Sequence, residues 1–331
     1  MKKIINAPQN VVSEMIRGMA LAFPEYIRKL DSADVLVRAE AKRDKVALVS
    51  GGGSGHEPAH AGYVGYGMLD AGVCGAVFTS PTPDSVLEAI KAVRTDRGVL
   101  LIIKNYTGDV LNFEMAMEMA EAEGIKVDKV IVDDDVAVQN STWTIGRRGI
   151  AGTVFVHKIA GAMAETGASL EDVKAVAEKV IANVRSMGMA LSPATVPEAG
   201  KPGFVLGENE MEIGLGIHGE PGVRREEIKP ANDIAGELLG NILTDMRFHQ
   251  GDEAAVLING LGSTPLMELF IVNNHVNSIL KDKGIKIYRT LVGEYMTSLE
   301  MAGFSISVLK LDAELKALLD AKADTPAYKS F

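Results

Sequence analysis

Cysteine, tryptophan and excess positive charge are what this sequence lacks. One cysteine, Cys74, and one tryptophan stand in 331 residues. A lone cysteine leaves no internal disulfide and no thiol-rich zinc site. Lys and Arg number 34 against 44 Asp and Glu, a formal net charge of −10. That balance argues against DNA or RNA as the main partner, because phosphate-backbone binding needs clustered positive charge. No uninterrupted apolar stretch reaches about 18 residues, so no membrane span is expected. The N-terminus, Met1-Lys2-Lys3-Ile4-Ile5-Asn6-Ala7-Pro8, opens like a signal peptide but meets Asn and Pro before an apolar segment forms. Tandem repeats and low-complexity segments are absent too. With 47% hydrophobic and 24% charged residues, the chain reads as a soluble, acidic, cytoplasmic protein with a large core. Its length predicts about two domains.

Short apolar runs alternate with helical patterns through the first half. Strands are expected at 46–50, 73–78, 99–103 and 130–132, the first ending at Gly51-Gly52-Gly53. Continuous apolar strands separated by helices imply a parallel sheet covered on both faces. From 151 to 185 the pattern is almost purely helical. A period-two segment around glycines, 211–218, then reads as a strand packed on one face. Helices at 234–246 and 265–281 and strands at 254–258, 286–291 and 304–309 follow. The expected architecture is therefore two-domain α/β. An N-terminal three-layer α/β/α domain with a mainly parallel sheet occupies 1–185, and a C-terminal domain with a mixed sheet occupies 186–331.

Chemistry concentrates at a few junctions. Gly51-Gly52-Gly53-Ser54-Gly55-His56-Glu57-Pro58 follows a strand directly. Four glycines in five residues let a ligand approach main-chain N–H groups closely, so a ligand loop is favoured over a plain tight turn. The spacing is neither the G-x-G-x-x-G fingerprint nor a P-loop. His60 nearby reads as a histidine without chemistry. Lys104 and Asp109, in Lys104-Asn105-Tyr106-Thr107-Gly108-Asp109, fall beyond the carboxyl end of the most apolar strand, where α/β sheets collect ligands. A helix N-cap and a binding or acid–base role are both open for Asp109. Asp133-Asp134-Asp135 reads as an acidic strand-end loop rather than a metal site, since successive side chains of an extended segment diverge. Arg147-Arg148 fits a phosphate or an ordinary surface pair. His218, in Ile217-His218-Gly219-Glu220-Pro221-Gly222, is held in a loop, where an imidazole suits proton transfer or attack on a carbonyl carbon. At the strand–helix junction 259–265, Thr264 as cap and Pro265 at N1 suffice.

Together these segments resemble the dihydroxyacetone kinase substrate-binding subunit family. The resemblance is carried by Ser50-Gly51-Gly52-Gly53-Ser54-Gly55-His56-Glu57-Pro58, Phe78-Thr79-Ser80-Pro81-Thr82-Pro83, Ile103-Lys104-Asn105-Tyr106-Thr107-Gly108-Asp109, Asp133-Asp134-Asp135-Val136-Ala137 and Gly216-Ile217-His218-Gly219-Glu220-Pro221-Gly222. It implies a homodimer of two-domain subunits that binds dihydroxyacetone covalently, His218 attacking the ketone through Nε2 to give a hemiaminal. It further implies that Gly53, Ser54, Gly55, His56, Lys104 and Asp109 bind the triose, with acid–base roles for His56 and Asp109. Neither metal nor cofactor is expected on this chain. The magnesium nucleotide is expected on a separate L-type subunit, recharged by a multiphosphoryl phosphotransferase protein with phosphate ultimately from phosphoenolpyruvate. A non-catalytic triose-sensing paralogue acting as a transcriptional co-activator is the alternative.

Overall fold

The computed structural model describes residues 2–40, 44–139 and 145–331. Two six-stranded sheets organise the chain. The first contains β1 (Ile27–Lys29), β2 (Val35–Arg38), β3 (Ala47–Ser54), β4 (Ala71–Val77), β5 (Val99–Lys104) and β6 (Val127–Val132), in the order β1-β2-β4-β3-β5-β6. Its four strands β4, β3, β5 and β6 pair in parallel, while β1 and β2 form an antiparallel edge. The second contains β7 (Val184–Ala190), β8 (Glu210–Ile213), β9 (Arg224–Glu227), β10 (Glu253–Gly260), β11 (Lys286–Gly293) and β12 (Gly303–Leu311). Its order is β11-β10-β12-β7-β8-β9, and only β10–β11 is parallel. The expected mainly parallel sheet followed by a mixed one is thus the observed architecture.

Side-chain alternation explains why the central strands are apolar throughout. Leu48, Leu100 and Ile102 face one core, whereas Ala47, Val49, Val99, Leu101 and Ile103 face another. Helix α1 (Val11–Ala22) sends Ile16 into the first core, and helices α2 (Pro83–Val93) and α3 (Thr107–Ala122) cover the second face with Val86, Ile90, Phe113 and Ala116. Helices α4 (Thr153–Glu165) and α5 (Leu170–Asn183) cover the first, and their core continues to Ala255, Leu257 and Leu309 of the second sheet. The helical layer at the centre is therefore shared by both sheets. On the far side of the second sheet lie α6 (Ala231–Asp245) and α7 (Leu266–Asp282). No helix among the described residues is long and apolar enough to cross a membrane.

Three local expectations need correction. The first strand does not end at the glycines: Gly51, Gly52 and Gly53 continue β3, paired with Val73, Cys74 and Gly75 of β4. A Cβ on Gly51 would come 2.5 Å from the Val73 carbonyl oxygen, so only glycine allows this close pairing. The stretch 151–185 is helical as expected, in two helices separated where Gly167 takes φ +81°. The strand predicted to reach His218 stops at Ile213, and 214–218 is turn and irregular backbone. Finally, Thr264 caps no helix; its hydroxyl exchanges hydrogen bonds with the backbone of Gly303.

Candidate active site

Pairing between β3 and β5 ends at Ser50–Ile102, whereas β3 stays paired with β4 as far as Ser54. The chain leaves β3 toward β4 on one side and finds β5 on the other, so a crevice opens at the carboxyl ends of the strands, where such a topology binds ligands. Gly52 and Gly53 form one wall and Lys104, the last residue of β5, the other. A Cβ on Gly52 would sit 3.3 Å from Asp109 Oδ2 and 3.6 Å from Lys104 Nζ, which locates both charged groups against the bare backbone. A Cβ on Gly53 would strike the Thr79 nitrogen at 2.5 Å.

Asp109 is not the N-cap of α3. Tyr106 holds that position, and Asp109 lies inside the first turn, buried, where its negative charge suits the helix N-terminus. Lys104 is fully buried and its Nζ has no hydrogen-bond partner among the described residues. An unsatisfied buried ammonium is costly, and a ligand oxygen would relieve it. Burial lowers the Lys104 pKa despite Asp109, and burial raises that of Asp109 despite Lys104. Both shifts make the pair better able to exchange protons near neutrality.

His56 comes from the turn after β3 and His218 from the turn after β8. Their Nε2 atoms are 3.0 Å apart. His56 Nδ1 lies 2.8 Å from the Thr297 carbonyl oxygen, which can only accept, so that nitrogen carries a proton. Burial, reinforced by Lys104 and His218, holds the His56 pKa well below its ordinary value. Neutral His56 therefore offers its Nε2 lone pair, and the bond to His218 is made by a proton shared between the two rings. His218 Nδ1 in turn faces Glu220 Oε1 at 3.2 Å, and the His218 backbone N–H donates to Oε2 at 2.9 Å. Burial pushes Glu220 up, but His218 and Arg148 outweigh it and its pKa falls to about 2.

Aromatic walls complete the pocket. Phe78 stacks on His56 with centroids 5.1 Å apart and meets His218 edge-on at 5.3 Å. Tyr106 meets His218 edge-on at 4.5 Å. Phe78 adopts φ +56°, a left-handed conformation unusual for a bulky residue and frequent where a site demands it. Leu299 N–H donates to the Gly55 carbonyl and Thr297 N–H to that of His56, so the second sheet's 297–299 loop clamps the glycine turn.

The structure thus brings Gly53, His56, Lys104, Asp109 and His218 to one crevice. Ser54 and Gly55 have committed groups: the Ser54 hydroxyl donates to the Gly75 carbonyl at 2.7 Å, and the Gly55 N–H donates to the Glu57 carboxylate. His60 pairs instead with buried His157, Nδ1 to Nε2 at 2.9 Å. The three aspartates separate. Asp134 accepts from the Ile150 and Gly152 N–H groups, Asp135 binds Arg148, and Asp133 is exposed. Arg147 pairs with Asp245 on α6, while Arg148 is fully buried rather than a surface residue. Thr297 carries no local sequence signal; Phe78 and Tyr106 lie inside segments that carry the family resemblance but are not singled out there, and Glu220 is marked as the carboxylate two residues beyond His218.

The Dak1 domain model matches residues 17–327. The PTS-dependent dihydroxyacetone kinase 1, dihydroxyacetone-binding subunit DhaK of Listeria innocua is 56% identical over 329 residues, covering 99% of this chain and 100% of that one. Among solved structures, the dihydroxyacetone kinase operon co-activator Dha-DhaQ superposes with TM-score 0.91 at 36% identity, covering 96% of this chain and 98% of its own. The dihydroxyacetone kinase of C. freundii in complex with AMP-PNP and Mg2+ superposes with TM-score 0.91 at 35% identity, over 99% of this chain and 61% of that chain.

Proposed function

Since this chain belongs to the Dak1 domain family, we propose that it is the dihydroxyacetone-binding subunit of a dihydroxyacetone kinase, a phosphotransferase. His218 holds the triose as a hemiaminal. A separate L-type subunit carries the magnesium nucleotide, and phosphoenolpyruvate is the ultimate phosphate donor. The subunit works in the cytoplasm as a homodimer.

The observation that carries this reading is the pairing of His56 and His218 through their Nε2 atoms, 3.0 Å apart, beside the buried Lys104 and Asp109. Dihydroxyacetone is small and uncharged, so apolar burial contributes little to holding it. A reversible carbon–nitrogen bond supplies the missing affinity and rejects glycerol, which has no carbonyl. For attack, the proton shared by the two rings moves to His56 Nε2. His218 Nε2 then bonds to the carbonyl carbon while the ketone oxygen takes the proton from His56. Lys104 steadies oxygens of the bound triose, satisfying its otherwise unpartnered Nζ. Asp109, its pKa raised by burial, accepts the proton of the hydroxyl that attacks phosphorus. No phosphate-gripping loop occurs in this chain, which supports a nucleotide carried by the partner.

The likeness to an operon co-activator supports a second reading, a triose sensor without turnover. Sensing requires capture by His218 but no general base. Capture as derived already uses His56, so it is Asp109, buried in the crevice with no part in capture, that favours the kinase. The experiment that decides supplies an L-type subunit, nucleotide and dihydroxyacetone. Formation of dihydroxyacetone phosphate is expected; triose capture without turnover would favour the sensor, and absence of capture would remove both readings.

A further inference from the structure

Glu220 is buried, yet the covalent step derived above makes no use of it. Its two oxygens both reach His218, Oε1 facing ring Nδ1 at 3.2 Å and Oε2 accepting the backbone N–H at 2.9 Å. The carboxylate is itself fixed from behind. Arg148 is fully buried, with Nε donating to Asp135 at 2.8 Å and Nη2 to the Gly214 carbonyl at 2.8 Å. Its Nη1 has no hydrogen-bond partner among the described residues. That nitrogen and Glu220 converge on Gly216, where a Cβ would overlap Glu220 Oε2 and lie 2.6 Å from Arg148 Nη1. Gly216 is thus bare because the guanidinium and the carboxylate share its space.

We infer that Glu220 is a positioning residue for the covalent step: it keeps a proton on His218 Nδ1, so that the Nε2 lone pair is the one presented to the ketone, and it balances the charge the ring acquires. The inference rests on His218 being the nucleophile. A neutral imidazole has one N–H and one lone pair, and the hydrogen bond made by one nitrogen decides which is which. An ionised carboxylate only accepts, so it selects the Nδ1–H form. Charge balance follows the same line. At the moment of attack the shared proton has moved onto His56 Nε2, which leaves His218 neutral with its Nδ1–H and an Nε2 lone pair. After attack, the ketone oxygen has taken that proton, His56 is neutral and the alkylated ring of His218 is positive. The positive charge has moved from the His56 ring to one beside Glu220, whose charge is in turn offset by Arg148. His56 meets the ring at Nε2, and Phe78 and Tyr106 meet it edge-on.

Glu220→Gln keeps the shape but supplies an amide that can donate to Nδ1 and so favour the Nε2–H form. Nitrogen-15 NMR of the imidazole rings in the intact wild type, free and with dihydroxyacetone, should show His218 Nδ1 protonated in both. In E220Q that protonation should be lost and triose capture, measured by calorimetry, should weaken by roughly 10- to 100-fold, the range for a hydrogen bond to a charged group. A wild-type spectrum with His218 Nδ1 unprotonated overturns the inference even if the variant does not fold. Unchanged capture by E220Q overturns it while leaving the kinase reading intact. Failure of the wild type to capture any triose would instead overturn the reading it rests on, and the inference with it.

Discussion

His56 and His218 are 162 residues apart in sequence, come from different sheets, and meet nitrogen to nitrogen at 3.0 Å. Neither imidazole could do alone what the pair does, because a nucleophile and the acid that protonates its target must be separate groups. The pairing makes capture depend on both rings, but unequally. His218→Ala should abolish the covalent adduct and nearly all turnover, read by crystallography at high triose concentration and by product assay. His56→Ala should slow adduct formation by roughly 10²–10⁴-fold, the scale of a positioned acid, while a bond to His218 still forms at equilibrium. Full activity of the His218 variant would end its assignment as nucleophile.

Asp109 should separate capture from transfer. Asp109→Asn should leave dihydroxyacetone binding near wild type and reduce phosphoryl transfer by roughly 10²–10⁴-fold. In the wild type, burial raises the Asp109 pKa, so its basic form is lost at a higher pH than for an ordinary carboxylate. Transfer should therefore fall as pH drops through that raised value, and the acid limb should vanish in the Asn variant. An unchanged rate would reduce Asp109 to a charge at a helix N-terminus.

Most of this site was readable from local sequence because glycines and charged groups at strand ends are unusual in themselves. The Gly51–Gly53 run, Lys104 and Asp109 stand out against apolar neighbours, and His218 lies in a Gly-flanked turn. What closes the pocket was not readable. Thr297 fixes the His56 tautomer from 241 residues away, and nothing in its own surroundings marks it. Phe78 owes its role to a left-handed backbone that a Phe-Thr-Ser sequence does not announce. Arg148 sits beside Arg147 as if on a surface, yet tertiary packing sends one to Asp245 and buries the other on Asp135. The N-terminal segment was also silent. β1 has only three residues, Ile-Arg-Lys, too few to show a period.

Gly53 tests the cradle itself. An added methyl would lie 2.5 Å from the Thr79 nitrogen and 2.7 Å from the Phe78 carbonyl carbon, both backbone atoms that cannot rotate away. Gly53→Ala should push the 78–79 turn outward and misplace the Phe78 ring that stacks on His56. Overpacking of this kind costs about 1–3 kcal/mol, so a lower thermal midpoint and weaker capture should appear together. A variant with wild-type stability and affinity would mean that the turn yields freely and does not shape the pocket.

Glu220 also carries a stability signature independent of catalysis. Its folded pKa is about 2, against an ordinary value of 4.5, because His218 and Arg148 outweigh burial. A carboxylate with a depressed folded pKa stabilises the fold fully above its unfolded value. That contribution is lost as pH falls from 4.5 toward about 2. The shift corresponds to on the order of 3 kcal/mol. Urea midpoints measured at about pH 6 and about pH 3 should therefore converge more in E220Q than in the wild type, since the variant has no such carboxylate to protonate. Equal acid sensitivity of the two proteins would mean that the Glu220 carboxylate gains nothing from His218 and Arg148 in the folded state.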